Sequence, residues 1–194
     1  MAASRLEMGP TDALLVVDVQ RDFCPGGALE VPEGDRVVES LNRWSQEAAD
    51  AKALVVASRD WHPAGHVSFQ QRGGPWPPHC VQGSEGAALH PNLDLPPDRI
   101  LISKGHEPDR DAYSAFDGTG LASLLEERGV KRVFVGGLAL DVCVRATALE
   151  ALELGLETHV LVDGSRPIDP AEGRKALEEL EARGAILHVE ATDA

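Results

Sequence analysis

Six short runs of apolar and β-branched residues are spaced along the chain, and several are continuous rather than alternating. Continuous runs of this length are typical of strands covered on both faces, as in a parallel sheet. Segments with helical spacing lie between them, and glycines follow three of these segments. The predicted strands are ALLVVDV, ALVVAS, ILIS, RVFVGG, THVLV and AILHV, and the predicted helices are 35–52, 121–128, 171–183 and the segment from Cys143 to Gly155.

This alternation of strands and helices predicts an α/β fold. The expected architecture is a three-layer sandwich around a six-stranded, mainly parallel sheet with right-handed crossovers, of the general Rossmann-like kind. A length of 194 residues and the absence of an internal repeat or linker predict a single domain over residues 1–194.

One segment, residues 60–99, interrupts the alternation. It is rich in proline and glycine, yet it contains Trp61, Trp76 and four of the seven histidines. Long segments without secondary structure are uncommon in compact domains and are usually either functional or disordered. Because disordered segments rarely have this composition, we expect the segment to be ordered and to form part of a site.

Reactive side chains follow the ends of four predicted strands: Asp18, Asp60, Lys104 and Cys143. The carboxyl ends of parallel strands meet at one sheet edge, where ligands bind. A thiol at a helix start near a lysine is expected to have a lowered pKa and to act as a nucleophile. Asp18 could accept its proton, and backbone N–H groups from Ala139 to Cys143 could stabilise an oxyanion. Taken alone, each side chain has an ordinary structural interpretation. Cys143 could be a small buried thiol, Asp18 a turn residue at a strand end, and Lys104 a surface lysine.

A second group of polar residues lies in and beside the 60–99 segment: Asp60, His62, His66 and His79. Asp60 and His62 are two residues apart, so in an extended chain they point to the same side. One carboxylate with two or three imidazoles suits Zn²⁺, Fe²⁺ or Mn²⁺. Cys80 could be a soft ligand, although a buried structural thiol is the simpler interpretation.

Composition excludes several classes of function. The formal net charge of −14 argues against a nucleic-acid partner, and the apolar runs are too short to span a membrane. Three widely spaced cysteines do not form a disulfide framework, and the N-terminal residues lack a secretory signal pattern. We therefore expect a cytoplasmic protein with reduced thiols. A homo-oligomeric state is compatible with these features.

The chain resembles the nicotinamidases of the isochorismatase-like cysteine hydrolase superfamily from about residue 12 to residue 189. The resemblance rests on LLVVDVQRDFCPGGAL, ASRDWHPAGHVSF, WPPHCVQGSEGAALHP, SKG, DAYSAFDGTGL and GLALDVCVRATALEALELG. The DWHPxxH and HC motifs are typical of its metal-binding members. The resemblance implies hydrolysis of nicotinamide to nicotinate and ammonia in NAD salvage, with activity on pyrazinamide-like analogues.

The resemblance also implies roles for individual residues. Cys143 would attack the carboxamide to form a thioester, with Asp18 as general base and acid and Lys104 holding both in place. One divalent metal, with Zn²⁺ as first candidate and Fe²⁺ or Mn²⁺ as alternatives, would be bound by Asp60, His62 and His79. His66 matches a position that binds metal only in some members.

The implied substrate pocket is aromatic. Phe23 and Trp76 match positions that stack on the substrate ring, which agrees with the flat heteroaromatic ligand that their placement allows, and Tyr113 matches a nearby aromatic. The family has a cis peptide bond before the position of Ala139, whose N–H would form the oxyanion hole together with that of Cys143.

Two departures from the family motif lie beside the thiol. Leu140 and Val142 replace a common threonine and tyrosine, and Leu140 is expected to alter the pocket shape. Two alternatives stay open at this stage: a related hydrolase that acts on carbamoyl or ureido substrates, and a binding module without catalytic activity.

Overall fold

The protein is described here by a computed structural model, which covers residues 7–189. Its centre is a six-stranded sheet in the order β3-β2-β1-β4-β5-β6, and all five strand pairings are parallel. The predicted α/β fold with a six-stranded parallel sheet is confirmed. The strands are β1 (Asp12–Val17), β2 (Leu54–Asp60), β3 (Ile100–Lys104), β4 (Arg132–Leu138), β5 (Glu157–Arg166) and β6 (Ile186–His188).

Helices cover both faces of this sheet, so the three-layer prediction is also confirmed. One apolar cluster joins alternate residues of β1 to one helix, and a second cluster joins the remaining residues to the other three helices. No helix within residues 7–189 is long and apolar enough to cross a bilayer. The helices are α1 (Val37–Ala51), α2 (Leu121–Glu127), α3 (Arg145–Glu153) and α4 (Pro170–Ala182).

The sheet order reverses between β1 and β4, because the chain builds outward from β1 to β3 on one side and from β4 to β6 on the other. Such a reversal opens a crevice at the carboxyl ends of the strands. Gly137 allows the two central strands to approach closely there, since a Cβ at this residue would lie 2.0 Å from the carbonyl oxygen of Val17. The crevice is therefore a consequence of the strand order.

The segment after β2, residues 61–99, is ordered, as expected. Isolated β-bridges pair His62 with Val81, Phe69 with Trp76, and Leu89 with Gln20 beside the end of β1. Phe69, within the segment, is fully buried and contacts the rings of His62, His66 and His79. The Leu89–Gln20 bridge ties the segment to the chain that follows β1, and the other contacts hold the segment together. The predicted domain extent of 1–194 includes residues 1–6 and 190–194, which lie outside the described residues.

Candidate active site and metal centre

Asp18, Lys104 and Cys143 come together at the carboxyl edge of the sheet. Asp18 directly follows β1 with a positive φ of 49°, and Lys104 is the last residue of β3. Cys143 lies in a π-helical turn, Leu140–Val144, that leads from β4 into α3. The ammonium nitrogen of Lys104 is 2.9 Å from Asp18 Oδ2 and 3.4 Å from Cys143 Sγ. The three side chains are therefore in direct contact, as the strand ends predict.

The two carboxylate oxygens of Asp18 have different environments. Ser58 Oγ donates a hydrogen bond of 2.7 Å to Oδ1, whereas Oδ2 faces Lys104. Burial raises the pKa of Asp18, and the charge of Lys104 opposes this only in part. Asp18 is therefore suited to take up a proton and return it within the site.

The expected lowering of the Cys143 pKa is wrong for the free protein. Burial raises the pKa of this thiol well above its usual value, and the attraction of Lys104 is opposed by Asp18 and Asp60. A thiolate would be a third anion beside two carboxylates and a single ammonium group. These surroundings therefore favour the protonated thiol, and Asp18 is the adjacent group that can accept its proton.

A second group of ligand atoms belongs to Asp60, His62 and His79. The Nε2 atoms of His62 and His79 lie 3.5 and 3.9 Å from Asp60 Oδ2, and the three side chains are buried. Their ligand atoms all lie within 4.8 Å of one another. Two nitrogen atoms and one oxygen atom at this spacing fit a divalent transition metal with room for further ligands.

The hydrogen bonds of the two imidazoles fix which nitrogen can bind a metal. His62 Nδ1 lies 2.8 Å from the carbonyl oxygen of Gly105, and His79 Nδ1 lies 2.7 Å from that of Pro77. A carbonyl only accepts, so each Nδ1 carries the proton and each Nε2 presents its lone pair. Gly105 is needed for the first contact, because a Cβ there would lie 2.5 Å from the His62 ring. The donor set therefore fits a bound metal.

His66 does not join this group. Its ring stacks on His62 with centroids 4.2 Å apart, but its nitrogens point elsewhere. Nε2 donates to the carbonyl oxygen of Arg110 at 2.9 Å, and Nδ1 accepts from the hydroxyl of Ser68 at 2.7 Å. Because both nitrogens are engaged, the structure leaves His66 no lone pair to offer.

Lys104 connects the two groups. Its ammonium nitrogen lies 2.6 Å from Asp60 Oδ1, so Asp60 faces Lys104 with one oxygen and the histidines with the other. Burial alone would raise the pKa of Asp60, but the charge of Lys104 overcomes it and holds that pKa well below its usual range. Oxygen atoms of Asp18 and Asp60 also lie within 4.8 Å of Cys143 Sγ, but Lys104 already supplies the cation there.

A pocket opens above both groups. Phe23, Trp76 and Tyr113 line it, as the resemblance implies, and Trp76 Nε1 donates to the Tyr113 hydroxyl at 3.3 Å. Phe23 lies beside His79 with ring centroids 5.6 Å apart. The walls are therefore aromatic, while the metal-binding group and the thiol face the same space.

The turn before Cys143 forms another part of this pocket. Ala139 and Cys143 both line it, and the Leu138–Ala139 peptide bond is cis, as the resemblance implies. Leu140, which was expected to alter the pocket shape, instead packs into the core between the sheet and α2–α4. Val142, the other departure beside the thiol, does line the pocket.

Sequence reasoning missed several residues of the site. Leu29, Asp111 and Ile168 line the pocket, and Ser58 contacts Asp18. Ile168 reaches the pocket because both carboxylate oxygens of Asp141 accept from the backbone, at 2.9 Å from Ile168 and 3.0 Å from Asp169. The one available signal was the polar Asp141 within an otherwise apolar turn.

Known proteins are similar to this chain over most of its length. The isochorismatase domain matches residues 12–190. A nicotinamidase from Escherichia coli (strain K12) is 42% identical over 205 residues, covering 92% of this chain and 95% of the relative.

Two solved structures share the fold over nearly the full length. Pyrazinamidase of Pyrococcus horikoshii in complex with zinc is 51% identical, with a TM-score of 0.90, and the match covers 93% of this chain and all (100%) of that chain. PnC1 from L. infantum in complex with nicotinate is 40% identical, with a TM-score of 0.85, and the match covers 94% and 95% of the two chains. From the domain match and these identities, the chain belongs to the isochorismatase family.

Proposed function

We propose that this protein hydrolyses nicotinamide to nicotinate and ammonia, and that it also accepts pyrazinamide-like analogues. The observation that carries the proposal is the placement of Cys143 Sγ, 3.4 Å from Lys104 Nζ, in a pocket that it shares with the Asp60, His62 and His79 donor set. The similar proteins support the same assignment: the E. coli relative is a nicotinamidase, and the L. infantum structure contains nicotinate.

In the proposed reaction, Sγ of Cys143 forms a bond to the carboxamide carbon while its proton passes to Asp18. Lys104 stabilises both partners as charge shifts from the carboxylate to the sulfur. The carbonyl oxygen becomes negative, and the N–H groups of Ala139 and Cys143 are the proposed donors to it. The raised pKa of Asp18 supports this role, because a carboxylate that holds a proton readily is an effective base in a buried site.

Collapse of this intermediate breaks the carbon–nitrogen bond. Asp18 returns the proton to the departing amide nitrogen, which leaves as ammonia, and a thioester remains on Cys143. A water molecule then attacks the thioester carbon through its oxygen, and Asp18 takes a proton from this water. The thiolate leaves and regains the proton from Asp18, and the new carboxylic acid loses its proton to solvent and is released as nicotinate.

Asp60, His62 and His79 are the proposed ligands of a single divalent metal ion, with Zn²⁺ as first candidate and Fe²⁺ or Mn²⁺ as alternatives. When bound, the ion would supply a Lewis acid that holds a ring nitrogen and orients the substrate. The zinc complex of the P. horikoshii structure supports this assignment. Phe23 and Trp76 are proposed to hold the ring by its faces, and Tyr113 to keep Trp76 in place.

Ammonia release from nicotinamide by the purified protein tests the proposal. We expect release that falls when a chelator removes metal and returns with Zn²⁺, Fe²⁺ or Mn²⁺. Cys143→Ala should abolish turnover and still bind nicotinamide, whereas Cys24→Ala, a buried thiol outside the site, should keep activity. No release at any metal loading would overturn the proposal, and carbamoyl and ureido compounds would then be tried against the same thiol.

A further inference from the structure

Gln20 is a fully buried polar residue that lies between the two functional groups without belonging to either. Its side-chain Nε2 donates to the carbonyl oxygens of Asp60 and Ala87 at 2.8 and 2.9 Å, and its Oε1 accepts from the backbone N–H of Asp60 at 2.7 Å. The amide group thus uses both donors and an acceptor, all on backbone groups. This pattern is a clamp on the peptide units that flank Asp60.

The clamp is tied to the other group through the backbone of the same residue. The N–H of Gln20 donates to the carbonyl oxygen of Asp18 at 2.8 Å, across the strained turn that ends β1. Ala87, its third side-chain partner, belongs to the 61–99 segment that carries His79 and Trp76. Gln20 therefore contacts the backbone of Asp18, the proposed base, and of Asp60, a proposed metal ligand. It also contacts the 61–99 segment, which carries His79.

The need for such a clamp follows from the position of Asp60. The paired register of β2 with β1 ends at Ala57, so strand pairing restrains Asp60 on the β3 side only, yet its two oxygens must face different partners. Oδ1 lies 2.6 Å from Lys104, and Oδ2 lies 3.5 Å from His62. A small rotation of the Asp60 backbone would move Oδ2 away from the imidazoles, while Lys104 could still hold Oδ1.

We propose that Gln20 is a positioning residue that fixes Asp60 in the orientation required for metal binding and links that orientation to the Asp18 turn. The inference rests on the metal-binding group of the proposed function. Gln20 carries no charge and is not among the residues that line the site pocket, so its effect is exerted through the backbone of Asp60. Outer-shell groups of this kind commonly change metal affinity by about 10- to 100-fold.

The test is zinc affinity, measured by competition with a chromophoric chelator. Gln20→Met keeps the length of the side chain but removes all three hydrogen bonds, and Gln20→Asn keeps the amide but is too short to reach them. We expect zinc to bind about 10- to 100-fold more weakly to Gln20→Met, with a smaller loss of kcat on zinc-saturated protein. If Gln20→Met does not fold, Gln20→Asn provides the same comparison.

Two controls separate positioning from general destabilisation. Gln46→Met makes the same chemical change on the exposed face of α1, and Thr158→Val removes a buried hydroxyl that bonds the Leu156 carbonyl at 3.0 Å, far from the site. Both should bind zinc as the parent does, even where the unfolding midpoint of Thr158→Val falls. Folded Gln20 variants with zinc affinity within twofold of the parent would overturn the inference.

The inference and the proposed function fail in different ways. A parent protein that binds zinc but releases no ammonia removes the proposed activity, while the zinc comparison still decides the role of Gln20. A parent protein that binds no divalent metal removes the metal site and the inference together.

Discussion

The ammonium nitrogen of Lys104 lies 2.6 Å from Asp60 Oδ1, closer than to either Asp18 or Cys143. One cation therefore pairs with a carboxylate in each of the two functional groups. The pairing also explains how two carboxylates and a thiol can be buried together, because attraction to an oppositely charged partner offsets part of the cost of removing charges from water.

The first prediction concerns this shared lysine. Lys104→Met should lower kcat/KM at least about 10³-fold, because electrostatic stabilisation is lost where charge moves between sulfur and carboxylate. Zinc should bind at least as tightly as to the parent, since a competing positive charge beside Asp60 is removed. Calorimetric titration with zinc checks this, with Lys175→Met on the surface of α4 as control. Loss of both zinc binding and activity in Lys104→Met would contradict a role of Lys104 in catalysis that is separate from metal binding.

The second prediction distinguishes the two stacked histidines. His62→Ala should weaken zinc binding by more than the roughly 10- to 100-fold typical of outer-shell changes, because a ligand atom is lost. His66→Gln should stay at or below that range, because both His66 nitrogens already have protein partners. Zinc content after dialysis against a graded chelator series separates the two variants. Equal losses would mean that His66 reorients to bind the metal.

The third prediction concerns the pH dependence of a thiol outside the pocket. Burial, assisted by the charge of Asp35, raises the pKa of Cys24 to about 11. Below that pH the unreactive thiol form dominates, so alkylation should be slow at pH 8 and rise about tenfold per pH unit up to pH 10. Mass spectrometry of the Cys143→Ala variant after treatment with iodoacetamide measures this. A rate that levels off below pH 9 would contradict the raised pKa.

The fourth prediction concerns the support of Ile168. Asp141→Ala removes two charge-assisted hydrogen bonds, so the free energy of unfolding should fall by about 2–3 kcal/mol. KM for nicotinamide should rise, because Ile168 loses its restraint on the pocket wall. Denaturant titration and steady-state kinetics measure the two effects.

Asp169→Ala is the matched control for that variant. It removes the side chain that caps α4, accepting at 2.6 Å from the N–H of Ala171, but leaves the Ile168 N–H bond in place. Stability should fall by about 1 kcal/mol with KM unchanged. A similar rise in KM for both variants would assign the effect to a general loosening of the loop between β5 and α4.

The sequence pattern predicted which residues meet but not how they pair. The strand ends brought Asp18, Lys104 and Cys143 together as expected, because apolar runs mark where parallel strands stop. The contact between Lys104 and Asp60 depends on the register of β2 against β3, in which these two residues are direct partners. Register is set by packing across the whole sheet, and one strand pattern does not reveal it.

Two further expectations depended on surroundings that sequence spacing does not describe. The helix-start argument for Cys143 treats the thiol as partly solvated, whereas its full burial beside two carboxylates reverses the direction of the pKa shift. The spacing of His66 suits a ligand, but local partners from Ser68 and Arg110 decide where its nitrogens point.

The order of the strands has a consequence for how the protein folds. The central contact of the sheet pairs β1 with β4, and its first partners are Asp12 and Arg132. The proposed base and nucleophile lie on either side of this pairing, so neither can reach the other until a loop of more than a hundred residues has closed. Contacts between such distant parts of a chain slow folding. Regained activity during refolding should therefore appear late, after most helical signal has returned, and would report closure of the sheet at its centre.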